Sequence, residues 1–221
     1  MYSALFVDID GTITDAKRRA ECNAIEVLRK LEAKLIVVLT SGNVLPVVYG
    51  IRQFIGLSGP IIAENGGVVL YNNQIELLGK IDEVEKCFRS IADKIKTERI
   101  FTDRWRLTEI ALKPDVEYSH LMELCRTWNV KIERTGFAVH IMPENVSKAN
   151  AMLFVCRKLG LEPSACIAIG DGDNDAEMLS IAGWSGAPAN ASELAKQNAK
   201  YVAKECYGKG FLEIIEWTGL I

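Results

Sequence analysis

The sequence predicts an α/β fold: a Rossmann-like parallel-sheet core with helices on both faces, plus a small inserted α+β domain. Three observations carry this. Short apolar runs, "ALFVDID" (4–10), "KLIVVLTSG" (34–42) and "CIAIGDGDND" (166–175), each end in small or polar residues, as strands buried on both faces do. Amphipathic helical patterns separate the early runs, and right-handed strand–helix–strand crossovers build a parallel sheet. Between residues 80 and 146 the rhythm changes to helix, strand, strand, twice over.

Taken in order, the first strand is followed by "AECNAIEVLRKLEA" (20–33), which sets Ala24, Val27, Leu28 and Leu31 at helical spacing. After the second strand, "NVLPVVYGIRQFIG" (43–56) repeats the pattern with Val44, Val47, Val48, Ile51 and Phe54. Asn43 is expected to cap that helix, with Pro46 tolerated in its first turn. "PIIAENGG" (60–67) reads as a further strand. Within 80–146, "DEVEKCFRSIADKIK" predicts a helix through Val84, Cys87, Phe88, Ile91 and Ile95, followed by extended stretches at 99–103 and 106–113. "VEYSHLMELCRTW" predicts the second helix, and "VKIER" and "FAVHIM" the next two strands. A helix over 147–159, stopped by Gly160, returns the chain to the core. The domains are therefore expected at 1–79 with 147–221 for a discontinuous core, and 80–146 for the insertion.

Of the 221 residues, 49% are apolar and 25% charged, which suits a folded globular chain rather than a disordered one. A net charge of −3 offers no broad attraction to nucleic acid or anionic lipid, so neither is an expected partner. No apolar run approaches the roughly 20 residues of a membrane span, and the first residues lack a signal pattern; a cytoplasmic location is expected. The six cysteines are scattered without C-x-x-C pairing and read as reduced, mostly buried thiols.

In "LFVDIDGT" (5–12), Asp8 and Asp10 stand at i and i+2 on an extended chain, able to project to one side of a strand end, and Gly11 permits a sharp turn. Carboxylates repel a phosphate ester unless a divalent cation bridges the two, and Mg²⁺ prefers oxygen ligands. One carboxylate of such a pair can attack phosphorus while the other exchanges protons. "GDGDND" (170–175) offers Asp171 and Asp175 at a second strand end to complete an oxygen shell. A calcium loop counted from Asp171 would need Gly at its sixth position and an acid at its twelfth; Ala176 and Ala182 stand there instead.

D-x-D-G-T after the first strand, "LTSGN" after the second, Lys148 ahead of a helix, and G-D-x-x-N-D after a later strand resemble, in order, the four motifs of the haloacid dehalogenase superfamily of phosphohydrolases. The resemblance implies that Asp8 is the nucleophile forming an aspartyl-phosphate and Asp10 the general acid/base. It implies Mg²⁺ held by the side chains of Asp8 and Asp171 and the backbone carbonyl of Asp10, with Asp175 close by. Ser41 would contact a phosphoryl oxygen, Lys148 would neutralise the phosphoryl charge, and Asn174 would help hold the phosphate. Many relatives carry Arg where this chain has Asn43, so that arginine's role does not transfer.

The insertion between the second and third motifs matches the α/β-capped branch, and "ENGG" with "SGNVLPVVYG" is most similar to archaeal phosphoglycolate phosphatases. The expected activity is hydrolysis of a small phosphorylated metabolite, 2-phosphoglycolate first, by a monomer or homodimer. Sugar-phosphate hydrolysis, phosphomutase chemistry and a catalytically silent phosphate-binding regulator are the alternatives. Arg104, Arg106 and Arg134 in the cap are candidates for pairing with a substrate carboxylate, against the ordinary reading of solvated surface arginines. His140 reads as a half-buried structural residue, His120 carries no signal, and Trp105 suits either closing over a ligand or packing in the cap.

Overall fold

Along β1 (Ala4–Asp8) every residue is buried, and successive side chains enter different cores. Leu5 and Val7 join one apolar cluster and Ala4 and Phe6 the other, as the two-residue period of a strand requires when both faces are covered. This computed structural model describes residues 2–221.

The chain continues through α1 (Cys22–Glu32), β2 (Ile36–Thr40), α2 (Leu45–Ile55), β3 (Ile61–Ala63), β4 (Val68–Tyr71) and β5 (Gln74–Leu77). Next come α3 (Ile81–Ile91), β6 (Ile110–Leu112), α4 (Tyr118–Cys125), β7 (Val130–Arg134) and β8 (Val139–Pro143). The remainder is α5 (Lys148–Leu159), β9 (Cys166–Ile169), α6 (Ala176–Ile181), β10 (Trp184–Ala187), α7 (Glu193–Asn198), β11 (Tyr201–Val202) and α8 (Tyr207–Thr218).

The large sheet has the order β11-β10-β9-β1-β2-β3-β4-β5. Its pairs from β11 to β3 are parallel, while β4 and β5 add an antiparallel hairpin. Helices α1, α2 and α8 pack on one face, and α5, α6 and α7 on the other. The hairpin was not expected from the sequence; Asn72 and Asn73, at φ 48° and 60°, form its turn, a conformation asparagine tolerates better than most residues.

The second sheet, order β6-β8-β7, is antiparallel and packs against α3 and α4 around Val84, Ile91, Leu121, Val139 and Ile141. It has three strands rather than four. The stretch expected to be extended at 99–103 gives only a bridge from Arg99 to Leu112, and Phe101–Trp105 is a 3₁₀ helix. The buried Asp103 carboxylate accepts the Ala111 amide at 2.7 Å and pairs with Arg99 at 3.2 Å, and so closes the sheet edge with a side chain. The strand expected over 106–113 shortens because the Leu107 and Thr108 amides donate to Glu64 instead of to a neighbouring strand.

Glu64 belongs to a buried polar junction between the two sheets. Its carboxylate accepts from the Thr108 amide at 2.9 Å and hydroxyl at 2.8 Å, and burial raises its pKa. Asn65 donates to Glu109 at 2.9 Å, Arg106 pairs with Glu109 and donates to the Gly42 carbonyl at 3.1 Å, and His140 Nδ1 lies 2.9 Å from Glu109. His140 is fully buried, not half-buried. Burial and the Arg106 charge hold it well below the ordinary imidazole range, so it stays neutral with its Nδ1 proton toward Glu109.

The unfolded chain takes up a proton at about pH 6.5 that this folded imidazole refuses, so His140 removes stability as pH falls below that value, by at most about 1.4 kcal/mol per pH unit. The expected result is that His140→Asn melts below wild type at pH 7.5, and that the gap narrows on going to pH 5. Thermal melts of both proteins across that range check it; a gap that widens toward acid pH contradicts a neutral His140.

All six cysteines are free, with Cys22 and Cys206 exposed and the other four buried. Among the described residues no helix is long and apolar enough to cross a membrane.

Candidate active site

Three neighbouring strands, β9, β1 and β2, deliver their carboxyl ends to one edge, with Val7 beside Ile169 and Asp8 beside Thr40 in register. Parallel sheets collect ligands at this edge. Asp8, Asp171 and Asp175 each place a carboxylate oxygen there within 4.8 Å of the others. Lys148, fully buried at the first turn of α5, donates to Asp8 Oδ1 and to Asp175 Oδ1, both at 2.6 Å. Burial alone would lower the lysine's pKa, but the charges of Asp175 and Asp8 more than offset it, and the ammonium is held protonated.

The carboxylates show the opposite strain. Burial raises the Asp8 pKa well above its ordinary value against the pull of Lys148, with Asp175 and Asp171 adding to the rise. Asp171 is pushed up to about 7, chiefly by burial and then by the Asp175 charge. The three crowded carboxylates offer only oxygen ligand atoms, which suit a small hard divalent cation.

Asp10 is not one of the three clustered carboxylates, but it lines the same cleft as Asp8. Its oxygens are occupied by Arg18 Nε at 2.6 Å and Asn43 Nδ2 at 2.7 Å. Asn43 therefore does not cap α2; Val44 occupies the cap position without a side-chain bond, and Pro46 lies in the first turn as expected. Ser41 is buried, and its oxygen accepts the Asn43 amide at 3.0 Å, which leaves its hydroxyl proton free to donate. Asn174 donates to Asn65 at 2.8 Å.

Two glycines are required by this packing. Gly11 has φ +87°, and a Cβ there would lie 2.2 Å from Asp171 Oδ2. Gly66, at φ +104°, would bring a Cβ within 2.2 Å of the Ser147 carbonyl, just before Lys148.

Sequence reasoning missed several residues that hold the site. Thr12 donates to Asp171 at 3.2 Å, and Asn190 donates to the Gly11 carbonyl at 2.9 Å while accepting the Tyr207 amide at 2.6 Å. Asn65 bridges Asn174 and Glu109. Thr12 is the last residue of the D-x-D-G-T motif, which was the available signal for it; nothing local marks Asn190.

Asp8, Asp10, Asp171 and Asp175 line a cleft of about 400 Å³ whose far wall is the 134–137 turn of the small sheet. Arg18 lies over the Phe137 ring at 4.2 Å, linking the two sheets across the opening. Of the three cap arginines, Arg134 lines this cleft, Arg106 is buried in the junction, and Arg104 stacks on Phe101 at 4.6 Å. Trp105 packs edge-on against Phe101 at 5.2 Å.

A sequence profile of the haloacid dehalogenase-like hydrolases matches residues 5–105 and 113–215. The chain belongs to this family. Relatives of this haloacid dehalogenase-like hydrolase include phosphoglycolate phosphatase of Methanothermobacter thermautotrophicus, 35% identical over 213 residues and covering 96% of each chain. The phosphoglycolate phosphatase of Archaeoglobus fulgidus is 36% identical over 222 residues, covering 99% of this chain and 97% of its own. Among solved structures, Thermoplasma acidophilum 0175 superposes with a TM-score of 0.93 at 28% identity over all of both chains. A haloacid dehalogenase-like hydrolase from Bacteroides thetaiotaomicron shares the fold at a TM-score of 0.81, with 20% identity and 99% and 100% coverage. The hydrolase core and the capped architecture expected from the motifs are thus those of the family.

Proposed function

We propose that the protein is a Mg²⁺-dependent phosphoric monoester hydrolase acting on a small phosphorylated metabolite, with 2-phosphoglycolate as its substrate. Residues 1–79 and 147–221 serve as the catalytic core and 80–146 as the cap. The observation that carries the reading is the convergence of Asp8, Asp171, Asp175 and Lys148 at one sheet edge, and the names of the archaeal relatives support the choice of ester.

Lys148 engages Asp8 Oδ1, which leaves Oδ2 as the attacking oxygen. The new bond joins Oδ2 to phosphorus as the ester P–O bond breaks, and Asp10 gives its proton to the departing alkoxide. Asp10 then takes a proton from water, whose oxygen attacks phosphorus, releasing inorganic phosphate and restoring the Asp8 carboxylate. Arg18 and Asn43 hold Asp10 in place for both transfers, and Ser41 donates to a phosphoryl oxygen. Asp8, Asp171 and Asp175 would hold a divalent cation, which would supply the charge that lets one anion approach another.

The expected result is phosphate release from 2-phosphoglycolate with Mg²⁺, reduced at least about a hundredfold by a chelator and restored by added Mg²⁺. The same assay run on sugar and nucleotide monophosphates, with and without an added sugar acceptor, checks the substrate and the reaction together. Faster release from a sugar phosphate would replace the substrate; transfer to the acceptor would replace hydrolysis.

A further inference from the structure

The cleft over the nucleophile is strongly acidic. Asp8, Asp10, Asp15, Asp171, Asp173 and Asp175 line it, against Arg18 and Arg134 alone among full-time cations. An ester with a carboxylate one methylene from its phosphate oxygen must place a further negative charge in that cleft, and it can do so only against a cation whose charge is not already spent. Arg18 is committed to Asp10 at 2.6 Å, and the neighbouring Lys148 to Asp8 and Asp175. Arg134 has no carboxylate within ion-pair distance among the described residues.

Arg134 is also placed for the task. It ends β7 immediately before the turn whose Thr135 amide donates to the Ala138 carbonyl at 2.9 Å, so its backbone is fixed at the cleft wall. Its guanidinium lies over the Tyr118 ring at 5.3 Å, and that ring is itself anchored by the Tyr118 hydroxyl donating to the Ile132 carbonyl at 3.1 Å. Stacking on a fixed ring leaves the edge of the fork free for two parallel hydrogen bonds to a carboxylate. Arg106 is unsuited: it is buried, paired with Glu109 and close to Glu64, so another carboxylate there would be repelled. Arg104 does not line the cleft.

We infer that Arg134 is the specificity-determining residue that reads the carboxylate of the substrate, so that the cap selects phosphate esters with a second anionic group close to the phosphate. The inference rests on the phosphatase reading above.

The test compares Arg134→Met and Arg134→Lys with wild type, in the presence of Mg²⁺, on 2-phosphoglycolate and on p-nitrophenyl phosphate, whose leaving group has no carboxylate. The quantity read is the ratio of the two kcat/KM values. Arg134→Met is expected to lower it about tenfold, mainly by raising KM for 2-phosphoglycolate, because an exposed charge pair is partly screened by solvent. Arg134→Lys keeps the charge without the fork and is expected to fall between. Melting midpoints equal to wild type separate recognition from folding, since the side chain is exposed. A ratio within twofold of wild type in Arg134→Met, or an equal loss on both esters, overturns the inference. If the wild-type protein does not hydrolyse 2-phosphoglycolate, the proposed substrate falls instead. The ratio taken with 3-phosphoglycerate then decides Arg134 alone, a tenfold drop supporting it and no drop overturning it.

Discussion

Asp8→Asn is expected to lower phosphate release by at least about 10⁴-fold, because on the proposed mechanism Asp8 forms the covalent intermediate. The fold should survive. Asp8 is buried, and its raised pKa means that its charge costs the folded state free energy at neutral pH. Asparagine keeps the shape and an oxygen for Lys148 while removing one of three crowded negative charges. The melting midpoint without metal is therefore expected to equal or exceed that of wild type. Steady-state phosphate release and a thermal melt on the same sample check both halves; activity within tenfold of wild type would remove Asp8 from the nucleophile's role.

The second large effect is that of Lys148→Met. Two ion pairs of 2.6 Å vanish from a fully buried position, and Asp8 and Asp175 are left facing each other without a counter-charge. Breaking a buried pair by removing one partner typically costs about 3–5 kcal/mol. A drop in melting midpoint on the order of 10 °C follows for a chain of this size. Turnover is expected to fall about 10³-fold, since on the proposed mechanism the ammonium also faces the phosphoryl charge that develops during attack. Lys148→Met thus loses stability and rate together, whereas Asp8→Asn loses rate alone. A Lys148→Met protein that melts like wild type would mean that its ammonium does not balance the acidic cluster.

The parts of the molecule legible in the sequence are those set by nearest-neighbour physics. Apolar runs ending in Asp8, Thr40 and Ile169 identified the three central strands, and the helical spacing of Ala24, Val27, Leu28 and Leu31 identified α1. Several misreadings arise where a polar side chain answers to a partner outside its local pattern. Asn43 looks like a helix cap because only its neighbours are visible, yet its amide reaches Asp10 across 33 positions. Residues 106–113 alternate like a strand, but Glu64, more than 40 positions earlier, takes two of the amides a strand would use. Asp103 likewise turns an expected strand into a 3₁₀ segment by closing the sheet edge itself. The Asn72–Asn73 hairpin, by contrast, has a local signal, two adjacent residues that tolerate positive φ.

The placement of β1 between β2 and β9 has a consequence for how such a protein diversifies. Asp8 ends β1, and Ser41 and Asp171 follow the ends of β2 and β9, so the separation of the three is set by the interstrand repeat of about 4.8 Å common to all β-sheets. That ruler belongs to the backbone, and no side-chain substitution lengthens or shortens it. Random variation therefore has little purchase on the spacing that the reaction needs, and ample purchase on the opposing wall, where a single turn at 134–137 faces the open side of the cleft. New substrates can be explored by changing that wall while the chemistry is inherited intact.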